Sequence, residues 1–99
     1  MEVTQQIIDG WKKEHGKVFK LRFPTEDVYY KRLSRPDYIE IQELTASGIV
    51  KDHELEACKK CILNDIKEDK LTSEGGIVTV LYEQLMRDSG FVVIESEEL

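Results

Sequence analysis

Gly16 separates two incompatible hydrophobic periods. In "TQQIIDGWKKEH", residues 4–15, the apolar side chains Ile7, Ile8 and Trp11 fall on one stripe at helical spacing. Directly after Gly16, in "KVFKLRF", Phe19, Leu21 and Phe23 point one way while Val18, Lys20 and Arg22 point the other. A chain that changes period at a single glycine must join a helix to a strand with one buried face. Thr4 supplies an N-cap oxygen for that helix, and Gly16 can end it in a left-handed conformation. Gly10 inside it costs about 1 kcal/mol relative to Ala. "PTED" then reads as a turn with Pro24 at its second position, and "VYYKRL" as a second strand rich in β-formers. The two strands pair as a hairpin through a four-residue connection.

The remainder reads as helices. Ser34 caps a helix opening at "SRPD", with Asp37 placed to complete a capping box and Pro36 tolerated in the first turn. Its inner stripe is Tyr38, Ile41, Leu44 and Thr45, and Gly48 closes it. Asp52 caps "DHELEACKKCILND", whose inward residues are Leu55, Cys58, Ile62 and Leu63, with Cys61 at the margin. "IKEDKLTSEGG" reads as a polar connection in which Gly75 and Gly76 give a flexible entry to a last helix from about Ile77 to Ser89. There Ile77, Val80, Leu81 and Leu85 form the stripe and Gly90 is the C-cap. Phe91 to Ile94 is either a docked end or a short strand, and "ESEEL" is an acidic mobile tail.

The fold class expected is therefore α+β. An N-terminal helix and a two-stranded antiparallel hairpin precede three amphipathic helices, in one domain over residues 1–94 with the tail at 95–99. Trp11, Phe19, Leu21, Phe23, Tyr30, Leu33, Tyr38, Ile41, Leu44, Leu55, Cys58, Ile62, Val80, Leu81 and Leu85 should build the core. Tyr30 is the inward one of the Tyr29–Tyr30 pair unless the strand register exchanges them. If Trp11 is a core residue, its truncation to Ala should cost about 3–5 kcal/mol.

Charge narrows the function. The net charge is -6, and residues 51–99 carry all of the excess, with six Lys or Arg against twelve Asp or Glu. A net basic surface is the usual means of gripping phosphates, so nucleic acid is a poor match and a basic protein surface a better one. "WKKEHGKVFKLRF" is the densest basic stretch, but Asp9, Glu14, Glu26 and Asp27 flank it. Its charges read as the solvent faces of a helix end and a strand. "YYKRLSR" interleaves aromatics with Lys31, Arg32 and Arg35, yet strand alternation gives half of these to the core. No apolar run approaches the roughly 20 residues of a membrane span, and no stretch reads as a signal peptide. A reducing cytoplasm is the expected setting.

No residue set reads as catalytic. "CKKC" places Cys58 and Cys61 mid-helix, without the second pair that a structural zinc requires and away from the helix start that a thioredoxin-like pair occupies. They read as buried structural thiols. His15 sits where a protonated imidazole favours a helix C-terminus, and Ser34, Ser73 and Ser89 fall at helix boundaries. "EGGIV" lacks the Lys and spacing of a phosphate loop. No metal or cofactor is expected.

In order, "WKKEHGKVFKLRF", "YYKRLSRPDYIEI", "EACKKCILND" and "GGIVTVLYEQLMRDSGF" resemble small tail assembly chaperones of large tailed bacteriophages, over about Trp11 to Phe91. The motifs are structural and the acidic end lies beyond them. The resemblance implies a non-enzymatic role: binding apolar helical surface of the tape-measure protein until tail-tube subunits polymerise around it. It implies phage tail proteins as partners, a homo-oligomer as a compatible state, and neither nucleic acid nor membrane as a ligand. Leu81, Leu85, Phe91 and Tyr38 are the candidate partner-binding residues. Trp11, Gly16, Ser34, Cys58, Cys61 and Gly90 are candidate structural ones. The alternatives are a virion component (a tail, baseplate or neck adaptor) and a host-directed regulatory binding protein.

Overall fold

The computed structural model describes residues 2–73, 76–91 and 96–99. The first helix, α1 (Gln5–His15), begins where Thr4 Oγ1 accepts the Ile7 N–H at 3.3 Å. It ends at Gly16, whose N–H still donates to the Lys12 carbonyl at 2.9 Å and whose φ of 83° then turns the chain out of the helix. A Cβ would disfavour that backbone, which is why the change of period coincides with a glycine.

Strands β1 (Val18–Arg22) and β2 (Asp27–Lys31) pair antiparallel, with Phe19 opposite Tyr30 and Leu21 opposite Val28. The ladder runs further into the turn than the sequence suggests. Phe23 and Glu26 exchange both backbone bonds, at 2.9 and 3.3 Å, so only Pro24 and Thr25 lie between bonded residues. The inner face carries Phe19, Leu21, Phe23, Val28 and Tyr30. The register therefore buries Tyr30, at 2% exposure, and leaves Tyr29 on the outer face.

Helix α2 (Arg35–Ala46) starts where Ser34 Oγ accepts the Asp37 N–H at 3.3 Å. Helix α3 (His53–Cys61) starts where Asp52 Oδ1 accepts the Leu55 N–H at 3.1 Å. Both first turns follow the expected caps. Helix α3 then ends earlier than its hydrophobic pattern suggests. Ile62 turns to extended backbone and forms an antiparallel bridge with Tyr30, and the Leu63 N–H donates to the Tyr29 carbonyl at 2.8 Å. The Asn64 side chain completes the pairing: its Oδ1 accepts the Tyr29 N–H at 2.9 Å and its Nδ2 donates to the Asp27 carbonyl at 3.0 Å. Ile62 and Leu63 thus belong to the sheet edge, because outward backbone groups of β2 needed partners more than α3 needed another turn.

The polar connection contains a short helix, α4 (Glu68–Ser73), with Leu71 buried at 3% exposure. Among the described residues, α4 adds a short helix to the three expected after the hairpin. One apolar residue in six gives no periodicity to read, so this element was invisible in the sequence. The Lys70 ammonium lies 3.0 Å from a sequestered Glu26 carboxylate oxygen, a charge contact without hydrogen-bond alignment that ties α4 to the hairpin turn. The expected flexible entry falls partly on residue 75, and the expected docked end or strand on residues 92–94, outside the described residues.

The last helix, α5 (Ile77–Asp88), buries Ile77, Leu81 and Leu85. Val80 was expected beside them but is 47% exposed. Val78, Tyr82 and Met86 pack against the core instead. The buried residues repeat every four positions, so the packed stripe spreads toward the residue following each of them, and Val80 falls on the opposite side. The helix closes with Gly90 at φ 82°, its N–H donating to Arg87 O at 3.2 Å while the Phe91 N–H donates to Met86 O at 2.9 Å. This is a Schellman closure that only a residue tolerant of positive φ completes without strain.

The core gathers Val28, Tyr30, Leu33, Ile41, Ala57, Cys58, Cys61, Leu81 and Leu85, with α3 packed against both α2 and α5. Trp11 is not among them. It is half-buried against Tyr29, ring centroids 5.7 Å apart, on the outer face of the hairpin, and α1 has no buried residue. Among the described residues, no helix is long and apolar enough to cross a membrane.

Two substitutions test this arrangement by urea titration. Trp11→Ala should cost about 1–2 kcal/mol, below the roughly 3–5 kcal/mol of a fully buried aromatic, because much of the ring already meets solvent. A loss of the larger size would place Trp11 in the main core. Tyr30→Phe should cost about 1–3 kcal/mol by leaving an Asp88 oxygen without its phenol donor.

Candidate functional site

The inner stripe of α5 decides what the protein can present to a partner. Leu81 and Leu85, candidates for partner contact, are 1% and 0% exposed. Each contributes about 1.5–3 kcal/mol by burial, so they belong to the fold and cannot also reach a ligand. The two other candidates, Tyr38 and Phe91, are half-buried and stack on each other, with ring centroids 4.7 Å apart and planes at 22°. The pair joins α2 to the end of α5, with part of each ring at the surface.

Next to the buried stripe, α3 and α5 enclose a groove of about 420 Å³. Tyr82 and Met86, both half-buried, supply its apolar lining. Glu54, Thr79, Glu83 and Arg87 supply its polar rim, with the Arg87 guanidinium held 3.2 Å from Glu83. His53 meets the Tyr82 ring edge-on, centroids 5.5 Å apart, at the α3 side. Burial raises the Tyr82 phenol pKa above its ordinary value, with smaller contributions from Tyr38, Glu54 and Cys58. The phenol therefore stays neutral at physiological pH and its ring supplies an apolar body. A charged rim around two half-buried apolar side chains suits the capture of an amphipathic surface. Tyr82 and Met86 were missed by sequence reasoning. The signal was the run Ile77, Val78, Leu81, Tyr82, Leu85 and Met86, adjacent pairs spaced by four, which marks a broad stripe with a margin left over.

The cysteines lie beneath this groove. Cys58 and Cys61 are free and buried, and Cys58 Sγ donates to the Val78 carbonyl at 3.7 Å. Burial, reinforced by Cys61, Glu54 and Asp52, pushes the Cys58 thiol up to about 12 from 9.0. Burial likewise raises Cys61 to about 11, against the lowering influence of Lys31. Both are protonated at neutral pH, so neither has the thiolate that nucleophilic or redox chemistry uses. Among the described residues, no three His, Cys, Asp or Glu side chains converge closely enough to hold a metal ion. His15 lies 3.7 Å from Glu14 at the end of α1, remote in sequence from the groove.

A second concavity, of about 370 Å³, lies between the N-terminal segment and the hairpin turn, lined by Glu2, Glu26, Asp27, Tyr29, Asn64 and Asp65 among others. Two of its four carboxylates are paired: Glu26 faces Lys70, and Asp27 lies 3.5 Å from Lys20. Asn64 is engaged with the β2 backbone. It is a solvated seam in the fold.

Comparison of the chain with protein-family models, with curated proteins and with solved structures gives no match.

The thiols make stability depend on alkaline pH. In the unfolded chain they lose protons near 9.0, whereas in the folded protein they keep them to about 11 and 12. The unfolded state therefore binds fewer protons above pH 9, and stability falls as pH rises. Each thiol should contribute about 1.4 kcal/mol per pH unit on that limb. Urea titrations between pH 9 and pH 10.5 should show the fall, and Cys58→Ala should make it shallower. In the native protein at neutral pH both thiols should react with a maleimide only at the rate of unfolding. Rapid labelling would contradict their burial.

Proposed function

We propose that the protein is a non-enzymatic assembly factor of a tailed bacteriophage, a tail assembly chaperone that covers apolar helical surface of the tape-measure protein. Its place of action is the cytoplasm of the bacterial host. The groove between α3 and α5 carries the reading. An amphipathic helix laid along it would set apolar anchors against Tyr82 and Met86 and turn Lys or Arg flanks toward Glu54 and Glu83. The partly open Tyr38–Phe91 pair adds apolar surface where α2 meets the end of α5. The net charge of -6 favours encounter with a basic partner and keeps the loaded chaperone soluble. A groove of this size suits a contact that must later be released, when tail-tube subunits take over the tape measure.

Two measurements test the proposal. In a pull-down with the tape-measure protein of the same phage, Met86→Glu or Tyr82→Ala should reduce capture by about tenfold while leaving the circular dichroism spectrum unchanged. Undiminished capture would remove the groove as the site. Quantitative mass spectrometry of infected-cell lysate against purified particles then separates the roles. Abundance in lysate with absence from particles is expected for a chaperone, whereas a fixed copy number per particle would make the protein a tail, baseplate or neck adaptor.

A further inference from the structure

The two edges of the hairpin are treated differently. Because Phe23 and Glu26 exchange both backbone bonds, the bonded pairs continue at Leu21–Val28 and Phe19–Tyr30. Asp27 and Tyr29 on β2, and Val18, Lys20 and Arg22 on β1, therefore aim their N–H and C=O groups outward. On β2 these groups are engaged by Leu63 and Asn64. On β1 no described residue bonds them. The side chains along β1 repeat the asymmetry. Val28 and Tyr30 are 1% and 2% exposed, but their partners Leu21 and Phe19, with Phe23, are only half-buried. Core cover stops short of the β1 rim.

Charge describes what would complete that rim. All eight Lys and Arg of the first fifty residues lie between residues 12 and 35. Lys17, Lys20 and Arg22 line the exposed strand, and only Lys20 among them has a carboxylate partner, Asp27 at 3.5 Å, among the described residues. A second copy pairing antiparallel through this edge, centred on Lys20, would set Lys20 against Lys20. Like charges in that position oppose self-association.

We infer that the outer edge of β1 is a docking strand for an extended partner segment in which apolar and acidic residues alternate. The partner backbone would bond Val18, Lys20 and Arg22. Its apolar side chains would extend the inner face beside Phe19, Leu21 and Phe23, and its carboxylates would meet Lys20 and Arg22 on the outer side. A single nucleic-acid strand would satisfy the charges but would leave the backbone groups and the half-buried inner rim unmatched. The inference concerns a different surface from the α3–α5 groove and does not depend on the occupant of that groove.

The probe is a fluorescein-labelled peptide of alternating Val and Glu, titrated with the full chain and followed by anisotropy. Saturable binding is expected, weakened by added salt and reduced about tenfold in the Lys20→Glu, Arg22→Glu double variant. Lys51→Glu, away from the hairpin, should leave it unchanged. A peptide with an N-methyl group on every amide keeps its charge but has no N–H on either edge to pair, and it should not bind. Backbone amides of Val18, Lys20 and Arg22 should gain protection from hydrogen exchange when the unmodified peptide is present. Absence of binding up to about 1 mM would overturn the inference. Equal binding of the N-methylated peptide would reduce it to charge attraction, and tighter binding of oligothymidylate would replace it with a nucleic-acid surface. Concentration-dependent dimerisation that the peptide abolishes would assign the edge to a second copy.

Discussion

The hydroxyl of Tyr30 joins the two ends of this protein. It donates to Asp88 at 2.6 Å across 58 residues of sequence, from the hairpin to the last turn of α5. Gln84 holds the other oxygen of the same carboxylate at 3.2 Å, and one residue on, Ser89 Oγ accepts the Leu33 N–H at 2.8 Å. The ring stacks on Phe19, centroids 5.5 Å apart, and the Tyr30 backbone is bridged to Ile62 after α3. Hairpin, α3 and α5 thus meet at one side chain. Burial first, and then the hydrogen bond and charge of Asp88, raise its pKa above the ordinary tyrosine value, so the phenol keeps its proton at neutral pH. A two-stranded hairpin is marginal alone in water. Here it is held by helices on its inner face and by an irregular segment on one edge.

That segment is the less obvious part of the design. Ile62, Leu63 and Asn64 substitute for a third strand with one backbone bond and one side-chain amide. The amide is suited to the task because it offers both an acceptor and donors in a plane, as a peptide group does. It closes β2, whose outward groups would otherwise be open, and leaves β1 as the edge that no described residue bonds. The fold therefore presents two dissimilar surfaces: an apolar groove with a mainly acidic rim between α3 and α5, and a basic strand on the hairpin. A protein with opposite electrostatic character on two faces can hold one partner while touching another.

Local chemistry carried much of the fold in the sequence. Thr4, Ser34 and Asp52 cap the helices they were expected to cap, because a side-chain oxygen three residues before an N–H needs nothing else to form its bond. The switch at Gly16, the hairpin and the glycine cap at Gly90 were legible for the same reason: each is set by neighbours within a few residues, whereas the choice of Tyr30 over Tyr29 waited on the strand register. The α+β order of helix, hairpin and further helices follows from them.

What the tertiary structure decided are the choices between near-equal local alternatives. Periodicity gave α5 an apolar stripe but not its centre, and the position of α3 put Tyr82 and Met86 at the groove while turning Val80 to solvent. Trp11 has helical spacing toward some surface, and only the placement of α1 on the outer face of the hairpin made that surface Tyr29. Ile62 and Leu63 left α3 because distant backbone groups on β2 required partners, and α4 gathered around a single buried leucine. The candidate site was less legible than the fold because it consists of the margins of stripes. The sequence by itself determined which residues are apolar and how each element starts and stops. Which apolar residues are core and which remain for a partner depends on how elements far apart in the chain pack, and hydrophobic burial, being non-directional, fixes that only once every element has found its neighbour.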